Sequence, residues 1–505
     1  MKKKTIFALG TVIVAVAAYG TAAWQAGKKT EQTLQARVQT LNGALEKYLP
    51  FGIKATLENH ERGLFSSTSQ LKISTHNPTQ EPQELLFLLQ TDHGPLPWRQ
   101  LKEQHFQLAQ SYTTARLQQT PLTEALFKAT NGQSPFDIQL TTLYSGQQEM
   151  VLNAIPVSFD KDNFFFDYSG LILTASSDEA LDNIRVTGDI AHISAGEGTL
   201  QNKTEHAEFT GIHFNETFQR KAEQGYELQR EHSMEKIQFH LLPAHIVLDQ
   251  TKSTDTLSDD GKNIAVSNTT SANNLSINQY DLGSINYAVS LDKISSSAAR
   301  LLFNSLLGMF KQELNKAKEG AAPSFDSMNA MSLGLAALGL FNNEPLISYG
   351  PIKWSLPEGS SDVTFKVGLN RPNFILMSRQ PEEMLWDMIR SLDIRLSVSK
   401  KMLAKTITTI RELERAFNPD EASLESLPED PMPMIQGYAD ALAEAGLLTQ
   451  EGDLINGSLQ VDGGKNIKTA SHISFNGVSM TPEEFMDTIT ERFRKMDELA
   501  KSLPW

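Results

Sequence analysis

The feature that most restricts this chain is an alternation of apolar and polar residues with period two. It persists, between turn signals, from Gly52 to about Ile294. Side chains two apart on an extended strand share a face, so the pattern specifies strands with one side toward a core and one toward water. In Leu64–Thr75, Phe65, Leu71 and Ile73 share a parity, with Ser67 and Ser69 between them. Phe106–Leu117, Phe136–Tyr144, Phe164–Ala175, Ile184–Ala195, Glu205–Phe214, Lys236–Leu242, Asn274–Tyr280 and Ser284–Leu291 read in the same way. Asn131–Gln133, Asp160–Asn163, Ser194–Gly198 and Asp259–Asn263 supply hairpin turns between strands. A long series of short strands joined by hairpins predicts an antiparallel sheet, which must curl, close into a barrel or fold into two layers.

From Ser295 the period becomes helical. Ala299–Lys318 places Leu301, Leu302, Leu306 and Phe310 on one side. After the breaker at Gly320–Pro323, Met328–Phe341 is nearly all apolar; it is too short to span a bilayer and reads as a buried helix. The sharper alternative is a helix that docks on a membrane or closes a lipid-facing groove. Strands return at Leu346–Leu356, Ser361–Leu369 and Leu392–Ser399, and helices at Lys400–Phe417 and Met432–Leu448. Leu454–Val461 and Ala470–Phe475 form a hairpin. A capping box follows, with Thr481 as N-cap, Pro482 at the first helical position and Glu484 two further on; its helix runs to about Leu499.

The N-terminus sets the expected compartment. Met1–Thr5 carries three lysines and precedes an uncharged run of 19 residues, Ile6–Trp24, before Lys28 and Lys29. At a rise of about 1.5 Å per residue this run reaches about 28 Å, the thickness of a hydrocarbon core. The lysine balance favours a cytoplasmic N-terminus, and Trp24 falls where an interfacial aromatic belongs. A cleaved signal peptide competes, since Ala17, Ala18, Ala22 and Ala23 offer small residues to a peptidase. We favour the uncleaved anchor, because the run is long for a signal peptide and continues into a helical stripe of Leu34, Val38, Leu41, Leu45 and Tyr48. Either reading places the body outside the cytoplasm. The expected organisation is an anchor over 1–29, a juxtamembrane helix over 30–50, an extended antiparallel β region over 51–294, a helical hairpin over 295–345 and a mixed α+β region over 346–505. The fold class is therefore α+β, mostly β: a transmembrane helix, then a long curled antiparallel sheet with helices packed on or capping it.

Composition narrows the function classes. Residues 1–29 carry five lysines and no acid, so removing those five charges from the net −15 leaves −20 on the body. That sign repels a phosphate backbone, and nucleic acid is not expected as a partner. The chain has no cysteine, which removes disulfides, thiolate nucleophiles, Cys-ligated metals and N-terminal lipidation.

Three short stretches carry a family resemblance: Arg62-Gly63-Leu64-Phe65-Ser66-Ser67, then Asp92-His93-Gly94-Pro95-Leu96-Pro97, and Asn476-Gly477 three residues before Met480. With the lysine-led N-terminus, their order and spacing resemble the YdgA-like family of uncharacterised bacterial proteins over nearly the whole chain. The resemblance implies a single-pass inner-membrane anchor with a periplasmic body. It brings no activity, cofactor or catalytic residue with it. The strand–turn–Gly–strand cadence is also similar, in architecture only, to AsmA-like β-groove proteins that shuttle lipid across the envelope.

The residues themselves assign no catalytic, cofactor or metal site. Arg62-Gly63 reads as a turn whose glycine accepts positive φ, and His93-Gly94-Pro95 as a rigid bend that could present an imidazole. His232 and His240 share a strand face, but Pro243 interrupts the pattern toward His245. The acidic groups Asp255–Asp260 and Glu421–Asp430 read as solvated loops. GxSxG, P-loop, GxGxxG and HExxH signatures are absent from the sequence. The expectation is a non-enzymatic, membrane-anchored envelope protein binding lipid or another amphiphile in a β-groove. The alternatives are a periplasmic scaffold for envelope proteins, or a hydrolase built around His93 and Arg62–Ser67.

Overall fold

The computed structural model describes residues 53–75, 83–104, 106–221, 225–318, 327–371, 388–417, 428–464 and 469–501, with 23, 25–32, 34–36, 38–40, 42–43 and 46 before them. The expected anchor segment 1–22 and Trp24 lie outside these residues. So do Leu41, Leu45 and Tyr48 of the helical stripe, and 421–427 of the second acidic group. Among the described residues no helix is long and apolar enough to cross a membrane. The alternating segments do become strands, and among the described residues an antiparallel sheet of 23 strands forms that is not closed. The barrel alternative is thereby removed.

The chain divides into two compact units. The first comprises the described residues within Met1–Ile193, His213–Gln219 and Asn304–Asn329. In it, β1 (Ile53–Arg62), β2 (Ser66–Thr75) and β3 (Gln83–His93) pair in sequence. After the short α1 (Trp98–Lys102), β4 (Ala109–Leu117) pairs with β3; after α2 (Glu124–Ala129), β5 (Phe136–Leu143) and β6 (Gln148–Ala154) continue the ladder. The expected strand Phe164–Ala175 is two strands. β8 (Phe164–Tyr168) pairs with β7 (Val157–Lys161), whereas β9 (Leu171–Ser177) pairs with β6. Gly170, at φ +96°, makes the break, and a Cβ there would lie 2.6 Å from the Ala154 carbonyl oxygen.

β10 (Asn183–Gly198) and β11 (Lys203–Arg220) contribute residues to both units. They correct a second expectation, since Ser194–Gly198 belongs to β10 and the turn lies at 199–202. The second unit continues with β12 (Tyr226–Leu241), β13 (Ala244–Asp259), β14 (Asn263–Ile277), β15 (Tyr280–Asp281) and β16 (Ser284–Ser295). Asp255–Asp259 is the end of β13, not a loop: Asp255 accepts from Asn268 at 2.7 Å, and Asp259 is buried. Ladder bonds on both sides hold these polar residues extended, which alternation alone cannot reveal.

α3 (Ser296–Lys318) and α4 (Ser327–Gly339) occupy the helical stretch. Of the described α4 side chains, 333–339, only Ala336 is buried, Leu335 is exposed and Leu333 and Leu338 are half-buried, so this part of the expected buried helix is only partly covered. α3 likewise exposes Leu301, Phe303, Leu306 and Phe310. β17 (Leu346–Leu356), β18 (Gly359–Leu369) and β19 (Ile389–Ser399) return to the sheet, followed by α5 (Lys400–Phe417) and α6 (Met432–Glu444). β20 (Thr449–Glu451), β21 (Leu454–Asp462), β22 (His472–Phe475), β23 (Val478–Met480) and α7 (Pro482–Ala500) complete the chain. α7 opens with the expected capping box between Thr481 and Glu484. A compact core forms where Ala445, Leu447, Val461, Ile473, Phe475 and Phe485 meet.

Candidate functional site

Two of the three marker motifs meet in the first unit. Register places Ser66 opposite Asp92 and Ser67 opposite Thr91, and the His93 amide donates to the Phe65 carbonyl at 2.8 Å. His93 is 1% exposed, and its Nε2 lies 3.1 Å from the Ser67 hydroxyl. The other side of the ring meets the helical residues 25–32: a Cβ on Gly27 would sit 2.3 Å from Nδ1. The segment before β1 is held at three further points. Asn42 exchanges two 2.7 Å bonds with the Ala55 backbone, Arg62 donates to Glu31 at 3.0 Å, and His60 approaches Glu31 at 3.9 Å. Ala23 and Ala26 are buried in the same segment.

The glycines of these motifs act through space, not through unusual dihedrals. A Cβ on Gly94 would lie 1.9 Å from the Ala109 carbonyl oxygen, because Gly94 and Pro95 bond directly to the start of β4. Gly63 does not adopt positive φ, contrary to the turn reading; its amide donates to the Ser66 carbonyl at 2.8 Å. Phe65 is exposed beside the buried His93. Burial first, then the charge on Arg62 and, least, the neighbouring His60, lower the His93 pKa against the opposing Leu64 backbone and Asp92. Among the described residues its Nδ1 has no hydrogen-bond partner, so no carboxylate orients the ring against Ser67. The motif forms a closed socket for the N-terminal helix.

The third motif lies in the second unit and closes a two-residue hairpin, with Asn476 at φ +49° and Gly477 at +79°. Both central residues of this tight hairpin need positive φ, which Asn-Gly supplies at little cost. The Asn476 side chain also accepts from the Ser458 amide at 2.9 Å and donates to the Leu447 carbonyl at 2.9 Å. It pins the hairpin to β21 and to the segment after α6.

Sequence reasoning located no binding face, but strand register produces one in the second unit. Leu228, Leu257, Val266, Leu291, Ile347, Val367, Leu392 and Val461 are successive cross-strand neighbours on one face. The row beside it runs Val289, Tyr349, Phe365, Ile394 and Leu459. On the opposite face the chain of neighbours is Gln229, Thr256, Ser267, Ser290, Ser348, Lys366, Asp393 and Gln460. The first row is thus apolar across eight strands and the opposite face polar, while the second row is apolar from β16 to β21 and continues on β14, β13 and β12 as Asn268, Asp255 and Arg230. The β21 end of the apolar side is covered, with Val461 and Val367 buried. Its middle is open: Tyr349 is 48% and Phe365 36% exposed, with Val266, Tyr287 and Val363 exposed around them. A shift in register at Gly350-Pro351 keeps Tyr349 and Ile352 on the same side.

The histidine spacing also needs correction. Pro243 does not separate His240 from His245; it lies in the turn of the β12–β13 hairpin that sets them directly opposite, with rings stacked at 4.1 Å. His206 of β11, not singled out from the sequence, stacks on the other side of His240 at 4.1 Å. His232 lies further along the same strand, opposite Ser253.

The comparisons with known proteins agree with the marker motifs. Residues 1–483 match the family described as "Bacterial protein of unknown function (DUF945)". The chain is 23% identical to "Protein YdgA" of Escherichia coli over 501 residues, 96% of each chain. It is 23% identical to an uncharacterised protein of Haemophilus influenzae over 333 residues, covering 62% of this chain and 88% of that one. Over 192 residues it is 22% identical to the uncharacterised protein YihF of Escherichia coli, 37% of this chain and 40% of the relative. With the family matched from the first residue to the start of the last helix, the chain belongs to the YdgA-like bacterial family of unknown function, DUF945.

Proposed function

We propose that this protein is a membrane-tethered, non-enzymatic component of the bacterial envelope, with its body in the periplasm. There it binds the apolar part of a lipid or similar amphiphile on the second unit's sheet. The observation that carries this reading is the open centre of the apolar face, where Tyr287, Tyr349, Val363 and Phe365 stand exposed among half-buried aliphatic neighbours. Contiguous apolar surface of this kind is rare on a monomeric protein without an occupant. Covering the exposed third to half of each large side chain is worth about 0.5–1.5 kcal/mol. An acyl chain satisfies such a face without needing polar partners, and the tether keeps the protein beside a source of acyl chains. The uncovered apolar residues of α3 and α4 fit the same environment. A cavity of about 470 Å³ in the first unit, lined by Ser145, Asp178, Asn183 and Arg185 among others, is too polar for this role.

The test is extraction of the full-length protein in a mild detergent, followed by mass spectrometry of the molecules that stay bound. The expected result is near-stoichiometric phospholipid or another amphiphile, largely lost from the double variant Tyr349→Arg, Phe365→Arg. The two positions face each other across β17 and β18 and are only partly exposed, so the paired arginines should cost about 1–2 kcal/mol, and occupancy is read on variant protein that still unfolds cooperatively. A lipid-free wild type, or full lipid occupancy in the variant, refutes the reading and turns attention to envelope proteins as partners.

A further inference from the structure

We propose that His206, Glu208 and His240 form a binding site for a divalent transition-metal ion of the zinc class, on the half-exposed face of β11 and β12. The site is independent of the apolar face. His206 and Glu208 are two apart on β11 and so share a side of the sheet, and stacking places His240 of β12 on that side. One ligand atom from each of the three residues falls within 4.8 Å of the others. The His206 and His240 rings are nearly parallel, 10° apart, so their in-plane nitrogen lone pairs run side by side at one edge of the stack and meet at a single ion only when the rings tilt toward one another. A tetrahedral ion with bonds of about 2.0–2.1 Å needs donors about 3.4 Å apart. Reaching that spacing takes up to about 1.4 Å of closure, within the range of side-chain rotation at half-exposed strand positions.

The surroundings suit the ligands. The Nδ1 of His206 lies 3.2 Å from the Thr204 carbonyl. With a proton on Nδ1 donated to that carbonyl, Nε2 would be the metal-binding atom and the carbonyl the outer support that ligating histidines ordinarily have. His245 is different: its Nε2 faces the Gln238 amide nitrogen at 3.2 Å. It therefore supports His240 from the far side and is not a third imidazole ligand. Two imidazoles and a carboxylate leave a fourth position for water, the donor set of an open zinc site. No sequence motif signals it, because 34 residues separate His206 from His240 and only strand register joins them.

Zn²⁺ is titrated into the full-length protein by isothermal calorimetry at pH 7.5, with His206→Ala, His240→Ala, Glu208→Gln and, as control, His232→Ala. The expected result is one ion per chain, weakened at least about tenfold by each of the first three changes and unaffected by the control. In parallel, wild-type protein is treated with diethyl pyrocarbonate with and without Zn²⁺ and the modified histidines are mapped. Protection of His206 and His240, but not His232, supports the site without relying on a variant. Absence of saturable binding at 100-fold excess Zn²⁺, equal binding by His240→Ala, or lack of protection overturns it.

Discussion

Arg300, five residues into α3, donates at 2.7 Å to Asp259, the last residue of β13. The Ser296 hydroxyl donates to the same oxygen at 2.9 Å, and the Gly261 amide to the other at 2.8 Å. The side chain of Asp259 is 1% exposed. Burial alone would raise its pKa, but the bonds from Arg300, Gly261 and Ser296 together outweigh it and hold the carboxyl below its ordinary 3.8. Sheet and helix are thus joined at one satisfied carboxylate beside a helix N-terminus.

Asp259→Asn keeps the shape, but it removes the charge and turns one acceptor into a donor facing Arg300. The expected cost is about 1–3 kcal/mol at neutral pH. A carboxyl depressed in the folded state stabilises above its unfolded pKa and loses that contribution as pH falls through the folded value. The wild-type advantage in urea midpoint should therefore hold from pH 7 to pH 5 and shrink below about pH 4. An advantage that widens on acidification would contradict this account of the site.

The socket around His93 makes a prediction of a different kind. Gly27→Ala places a methyl 2.3 Å from the imidazole, so it should loosen the helical residues around it, 25–32, at a cost of about 1–3 kcal/mol. His93→Ala removes the obstructing ring and leaves a cavity of its own. The double variant should cost clearly less than the two single changes summed, by about 0.5 kcal/mol or more. Hydrogen exchange over residues 25–43 reads the effect locally. Strict additivity would mean that His93 and Gly27 do not hold the helix together.

Much of this arrangement was legible from residue pattern, and the exceptions have physical causes. The helix 400–417, the strand 346–356 and the capping box at Thr481 emerge as read, because each carries its own local signal: a period or a capping pair. The middle strands were read too short. In Ser253–Thr256 and Ser267–Asn274 polar residues occupy both faces, and their extended form is fixed by the neighbouring strands. The apolar face was invisible for the opposite reason. Leu291, Ile347, Val367 and Leu392 are ordinary strand residues until register aligns them. His206 and His240 joined only in the same way, although a two-residue hairpin centred on Leu242-Pro243 would have paired His240 with His245 from sequence.

Asn476 tests whether a marker residue is structural. Asn476→Gly retains a residue suited to positive φ and forfeits the bonds to Ser458 and Leu447. Asn476→Asp retains an acceptor for the Ser458 amide, but sets a carboxylate against the Leu447 and Gly446 carbonyls. Both should destabilise the second unit, by about 1–3 kcal/mol, with the aspartate worse at pH 7 than near pH 3, where its charge is lost. Thermal midpoints at the two pH values measure this. An aspartate variant as stable as wild type at pH 7 would show that the side-chain pin carries no weight.

Trp354 offers a reporter on the apolar face itself. It lies opposite Ile285 on β16 and Ser361 on β18, half-buried, with its indole nitrogen donating to the Leu282 carbonyl. An acyl chain laid along Tyr349, Ile352 and Phe365 displaces water from the exposed edge of that ring. Titration with a long-chain lysophospholipid below its micelle concentration should shift the emission to the blue. Trp354→Phe should remove most of the change while leaving the amount of lipid bound unaltered, since a phenyl ring preserves the apolar surface. Lipid that binds without altering Trp354 emission would place the amphiphile somewhere other than this sheet.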